Sequence, residues 1–146
     1  MSSLKDKTVK IYTDGGSRGN PGPAAVGVVV MVGDKVVKRL KKTIGLATNN
    51  TAEYQALLLS LDYLKNQSAR PKEVKWFLDS KLVVEQVGGR WKVKDAKLKL
   101  LKQQAVKELK QLQVKFSLTH IPREKNKLAD ELVNQALDLN VSNESK

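Results

Sequence analysis

The chain of 146 residues contains no cysteine. That absence excludes disulfides, thiolate metal centres and a cysteine nucleophile. A single histidine, His120, also removes zinc sites assembled from histidine and cysteine. Acids are scarce relative to bases: 15 Asp and Glu stand against 27 Lys and Arg, a formal charge of +12. Such a balance favours nucleic acid or an acidic surface as partner, the plainer alternative being a solubility device. Long apolar runs are missing as well. No stretch approaches the roughly 20 residues of a membrane-spanning helix, and Met1 to Lys7 has no apolar signal core. A soluble, cytoplasmic protein is expected. Neither linker, repeat nor low-complexity block interrupts the chain, so residues 1–146 are expected to form one domain, with its core at about residues 8–138 and a flexible tail over 139–146.

Val9 to Thr13 alternates like a strand, and Gly15 to Pro23 reads as a turn-rich loop. Val26 to Val32 is an apolar run suited to a buried strand. Gly33-Asp34 is a hairpin signal that returns the chain through a third strand, Val36 to Lys42. The spacing of Tyr54, Leu57, Leu58, Leu61 and Leu64 predicts a helix over Thr51 to Lys65. A short strand, Val74 to Leu78, precedes a helix from about Ser80 to Val87 that Gly88-Gly89 ends. Leu98, Leu101, Ala105, Leu109 and Leu112 form the stripe of a helix over Asp95 to Leu112. Val114, Phe116 and Leu118 alternate as a last strand, and Asn126 to Leu137 forms a last helix. An antiparallel meander followed by strand–helix alternation implies an α/β fold with a mixed sheet and helices packed on it.

Within this basic chain four carboxylates stand at the edges of apolar runs: Asp14, Glu53, Asp79 and Asp130. Each has a local explanation. Asp14 before two glycines could be a turn residue, Glu53 could close a capping box with Asn50, Asp79 could cap the next helix, and Asp130 could complement a helix dipole. Their joint placement points elsewhere. Asp14 and Asp79 fall at the C-terminal ends of predicted strands, where ligands bind in open α/β sheets, and Glu53 and Asp130 fall in first turns of adjoining helices. Four acids converging there would repel unless cations lay between them. Oxygen-only ligands suit Mg²⁺ or Mn²⁺, and two such ions about 4 Å apart can activate a water and stabilise a leaving oxygen on phosphate. From Arg90 to Lys115 nine Lys and Arg face only Asp95 and Glu108, a local charge of +7 that is either a substrate-binding surface or a solvated helix face.

Four segments give this pattern a family resemblance. They are Ile11 to Pro23 (containing Thr13-Asp14-Gly15-Gly16), Thr48 to Glu53, Leu78 to Val83, and His120 to Asp130. In that order and spacing, over about residues 8–138, the chain resembles type 1 ribonuclease H. By this resemblance a compact form is expected, without the basic protrusion of the better-known bacterial form or the separate hybrid-binding module of some members. The resemblance implies the ribonuclease H-like fold, a five-stranded mixed sheet. It also implies an endonuclease that hydrolyses the RNA strand of RNA–DNA hybrids with two metal ions, leaving 5′-phosphate and 3′-hydroxyl ends. By the same resemblance Asp14 bridges both metals, Asp130 serves the metal that activates water, and Glu53 and Asp79 serve the metal nearer the leaving group. Glu53 also occupies the place that meets the ribose 2′-hydroxyl, the group that distinguishes RNA from DNA. Asn20, Asn49 and Lys81 fall at hybrid-contacting places, Lys81 where the family usually has Gln, with Asn50 beside Asn49. His120 matches the histidine that assists the water or product step, and an imidazole titrates near neutrality.

Trp91, between Arg90 and Lys92, could pack on a deoxyribose of the DNA strand or close the preceding helix, whereas Trp76 reads as core. Duplex RNA stays open as a further partner, and a monomer is expected because no exposed apolar helix face stands out. Two other readings stand beside the nuclease. One is a non-enzymatic hybrid- or duplex-binding protein on the same fold. The other is a junction resolvase or ATPase, although Gly15 to Gly22 lacks the Gly-Lys-Ser/Thr ending of a phosphate-binding loop.

Overall fold

The computed structural model describes residues 4–144, with side chains through Leu139. Strands β1 (Thr8–Ser17), β2 (Gly22–Val32) and β3 (Lys35–Ala47) form an antiparallel meander. Helix α1 (Asn49–Lys65) leads to β4 (Glu73–Leu78), which pairs parallel to β1. Helices α2 (Lys81–Val87) and α3 (Ala96–Leu112) then carry the chain to β5 (Lys115–His120), parallel to β4. A 3₁₀ turn at Arg123–Lys125 precedes α4 (Lys127–Glu144). The sheet order is β3-β2-β1-β4-β5, the five-stranded mixed sheet that the sequence implies. No helix among the described residues is long and apolar enough to cross a membrane.

Val26, Val28, Val29 and Val30 are all buried because β2 is covered on both faces. On one face Val9, Ile11, Val28, Val30, Trp76 and Leu78 pack with Tyr54, Leu57 and Leu61 of α1 and with the leucine stripe of α3. Trp76 is fully buried, as expected of a core residue, and its indole Nε1 donates to Ser60 Oγ at 2.8 Å. On the other face Val29 packs with Ala129 and Leu132, and Ala25 with Val133, Ala136 and Leu137, all from α4.

Several elements run past the bounds read from the sequence, β2 among them, since it begins at Gly22 rather than Val26. β1 does not stop at Thr13, because β2 continues to pair with it through Asp14↔Gly27, Gly15↔Val26, Gly16↔Ala25 and Ser17↔Ala24. Gly15 and Gly16 are therefore strand residues, and Asp14 lies inside β1 rather than at its end. β3 extends to Ala47 by the same pairing with β2. α4 continues beyond Leu137 to Glu144.

Two glycines allow helices to touch the sheet backbone. A Cβ on Gly15 would lie 2.2 Å from the Ala52 carbonyl oxygen of α1, and one on Gly27 would lie 2.5 Å from the Ala129 carbonyl oxygen of α4. Only glycine permits either approach. The residues that follow these carbonyls are Glu53 and Asp130, so the two contacts set how close those acids come to β1. Gly27→Ala is expected to push α4 outward and cost about 1–3 kcal/mol, as overpacking does. Urea denaturation of the variant beside the parent chain checks this, and an unchanged midpoint would mean that α4 is not held at contact distance.

Candidate metal centre in a carboxylate cleft

The parallel pairing of β1 with β4 ends at Thr13↔Leu78. The next residue on each strand is an acid, Asp14 or Asp79, so the register places them side by side. Two residues earlier, on the same faces of the strands, Tyr12 and Phe77 stack with ring centroids 5.0 Å apart. The local roles open to three of the acids are taken by other residues. Thr48 caps α1 by accepting from Thr51 N, Ser80 caps α2 by accepting from Val83 N, and Asp14 is in a strand rather than a turn. Glu53 does not reach back to its own helix end; its Oε1 accepts from Gly15 N at 2.7 Å. Asp130 lies in the first turn of α4, where a dipole role is compatible with its position.

One carboxylate oxygen each from Asp14, Glu53 and Asp79 lies within 4.8 Å of the others. Asp130 lines the same cleft of about 420 Å³, with Gly15, Gly16, Ser17, Arg18, Asn49 and Arg123 among its neighbours. The electrostatic consequence is large. Asp14 is 7% exposed, and burial, then repulsion from Asp79 and Asp130, pushes its carboxyl from an ordinary 3.8 up to about 8. Burial, then repulsion from Asp14 and Asp79, pushes Glu53 well above its ordinary range, against the pull of the Gly15 N–H. Acids so crowded favour their neutral forms unless positive charge joins them. Of the two arginines that line the cleft, Arg123 pairs with an acid of the cluster: its Nη2 stands 3.7 Å from Asp130 Oδ1, on an exposed side chain. An all-oxygen donor set at this spacing fits a hard divalent cation. Asp14, Glu53 and Asp79 could hold it directly, with Asp130 alongside.

The other sequence-selected residues divide into groups. Asn49 lines the cleft and is tied to the β1–β2 loop: its Oδ1 accepts from Ser17 N at 2.9 Å and Ser17 Oγ at 3.1 Å, and its backbone N–H donates to Asn20 Oδ1 at 3.0 Å. Asn50 is exposed on the first turn of α1. His120 ends β5 opposite Leu78, exposed and one strand away from the acids, and does not line the cleft. Lys81 and Trp91 stand together at α2, with Lys81 Nζ 5.9 Å from the centroid of a Trp91 ring, and Trp91 is 42% exposed. Arg90 fixes that corner through Glu85, with contacts of 3.0 and 3.1 Å. The exposed Lys97, Lys99, Lys107 and Lys110 of α3 continue the basic surface. Sequence reasoning missed Arg18, Arg123 and Asn126. All three sit inside motifs already singled out but carry no spacing signal of their own, and Asn126 is set apart only by its tertiary contact.

A family model described as reverse transcriptase-like matches residues 12–136. The chain is 46% identical over 132 residues to the bifunctional protein Rv2228c of Mycobacterium tuberculosis, a match covering 89% of this chain and 35% of that protein. It is 44% identical over 131 residues to ribonuclease HI of Halobacterium salinarum, covering 89% and 64% respectively. The chain thus spans about a third of one relative and less than two thirds of the other. Among solved structures, LC11-RNase H1 in complex with an RNA/DNA hybrid matches with a TM-score of 0.86 and 40% identity, over 91% of this chain and 99% of that one. RNase H1 from Halobacterium salinarum matches with a TM-score of 0.83 and 42% identity, over 90% and 98%. Fold and cleft together define a reverse transcriptase-like protein. Within that class the chain belongs to the type 1 ribonuclease H family.

The raised carboxyl of Asp14 has a consequence for stability. A folded-state value above the unfolded one means that the folded chain binds more protons, so stability falls as pH rises between them. Without divalent metal, the parent chain should lose stability from about pH 4 towards pH 8. Asp14→Asn should flatten that decline. Thermal unfolding in chelator at several pH values checks both, and parallel profiles for the two proteins would contradict the crowded-acid picture.

Proposed function

We propose that this chain is a metal-dependent endoribonuclease that hydrolyses the RNA strand of RNA–DNA hybrids. The observation that carries the reading is the cluster of Asp14, Glu53 and Asp79, with Asp130 in the same cleft, on a chain of +12 charge. The hybrid bound to LC11-RNase H1, a protein of the same fold at 40% identity, supports the substrate class.

In this reading Asp14, Glu53, Asp79 and Asp130 would together hold two Mg²⁺ or Mn²⁺ ions. When bound, the ions supply charge neutralisation, a more acidic water and stabilisation of the leaving oxygen. Water adds to the phosphorus, the bond to the 3′-oxygen breaks, and a 5′-phosphate and a 3′-hydroxyl result. Glu53 also meets the ribose 2′-hydroxyl, which gives a reason for choosing the RNA strand. Asn49, which lines the cleft and is held in place by Ser17, contacts the hybrid in this reading together with Asn20 and Asn50. Lys81 and Trp91 contact the nucleic acid on the α2 side, with Trp91 against a deoxyribose of the DNA strand. His120, exposed at the end of β5, assists proton movement when product leaves. The protein acts as a monomer in the cytoplasm.

A test pairs one end-labelled RNA either with DNA or with RNA and supplies Mg²⁺, Mn²⁺ or chelator. The expected result is metal-dependent cutting of RNA in the hybrid, and the RNA–RNA lane measures how strictly the DNA strand is required. Asp14→Asn and Asp79→Asn should each lose more activity than the roughly 10–100-fold typical of removing an outer-shell partner. Full activity in either variant would overturn the site. Hybrid binding without cutting, with either metal, would leave a binding protein on this fold. Hybrid affinity should also fall steeply with salt, since bound phosphates release counterions; a flat response in a filter-binding titration would rule out a backbone-tracking surface.

A further inference from the structure

Asn126 is 1% exposed, lies between the 3₁₀ turn and α4, and does not line the cleft. Its side chain Nδ2 donates to the carbonyl oxygen of Thr13 at 2.8 Å, across 113 residues of sequence. Its own carbonyl oxygen accepts from Asp130 N at 3.1 Å, opening the first turn of α4. Thr13 is the residue before Asp14. One buried residue thus links the backbone beside Asp14, through its side-chain amide, to the backbone of Asp130, through its main-chain carbonyl, and those two acids repel each other.

Local stability does not account well for this arrangement. Asn126 Oδ1 is buried without a hydrogen-bond partner. A buried amide that satisfies only part of its hydrogen-bonding capacity contributes little net stability, since the unsatisfied oxygen carries a desolvation cost. Packing alone would be served by an apolar side chain. What the amide supplies is a fixed distance between β1 and the start of α4, against electrostatic repulsion that would widen it.

We propose that Asn126 is a positioning residue for the metal site: it holds Asp14 and Asp130 at the separation at which they can share divalent cations. The inference rests on the nuclease reading above and deepens it. It assigns a role to a residue that touches neither substrate nor metal, acting on the acids through Thr13 O and through the first turn of α4. The contact between Gly27 and Ala129 presses α4 onto β2; Asn126 sets its position along β1.

The test uses Asn126→Ala and Asn126→Leu, the second keeping an apolar side chain in the space so that loss of packing is not confused with loss of the donor. Calorimetric titration of the free proteins with Mg²⁺ or Mn²⁺, at a pH where the parent binds, reads the site without any catalytic step. Metal dependence of hybrid cleavage and hybrid affinity in chelator are measured beside it. In both variants the metal concentration for half-saturation should rise about 10–100-fold, the usual cost of losing an outer-shell partner, while hybrid affinity in chelator stays at the parent value. Variants that only melt earlier, with unchanged metal titrations, would make Asn126 a structural residue and overturn the proposal. A loss of hybrid affinity in chelator equal to the loss of metal affinity would overturn it too, by placing the effect on the substrate surface. If the parent chain shows no metal binding and no metal-dependent cleavage, the nuclease reading falls as well; a metal-dependent parent with unaltered variants removes this inference alone.

Discussion

The structure turns on holding together acids that repel. Asp14 and Asp79 meet because the parallel pairing of β1 and β4 ends one residue before each of them. Glu53 and Asp130 join them because Gly15 and Gly27 have no side chain to keep α1 and α4 off the sheet. Packing of the valine-rich β2 between the helices and the α1 face of the core supplies the free energy. The cost appears in the carboxyl groups themselves, as the upward displacement of Asp14 and Glu53. A fold that spends stability on such a cluster has a ready compensating partner in a divalent cation, which converts repulsion among ligands into binding energy.

The same geometry separates chemistry from recognition. The acids gather in one cleft, Asp14 buried and Glu53, Asp79 and Asp130 half-buried, while the bases are spread over α3 and the corner where Lys81, Arg90 and Trp91 meet. Exposed lysines in high dielectric contribute little to folding. Their charge acts at longer range, and in the proposed function it draws a polyanion towards the cleft. Between the two regions the Ser17–Asn49–Asn20 bonds stiffen the loop beside the cleft, so the surface that would meet a nucleic acid strand is held in shape before binding.

Much of this was legible in the chain. The order of strands and helices follows from apolar periodicity, and the leucine stripe of α3 is buried as the spacing requires. The four acids stood out because each interrupts an apolar run beside a turn or cap signal. The misreadings share one cause. Gly15-Gly16 looks like a loop because local propensity cannot see that β2 will pair with it; for Glu53 capping is only the local alternative to the metal-ligand reading, and its carboxylate instead meets Gly15 N, 38 residues away. Asn126 was read only as a helix start for the same reason, since the contact that defines it spans 113 residues. The exposed position of His120, one strand away from the acids, was likewise invisible to a spacing argument that counted residues to Asp130.

The central claim is that the cluster is built to receive divalent cations, and its most direct test is the unfolding temperature at pH 8 with chelator or with Mg²⁺. The account predicts that Mg²⁺ raises the unfolding temperature of the parent chain and that Asp14→Asn abolishes most of the rise, because the cation binds the folded carboxylates and not the unfolded chain. An equal rise in both proteins, or none in the parent, would show that these acids are crowded together for a reason other than metal.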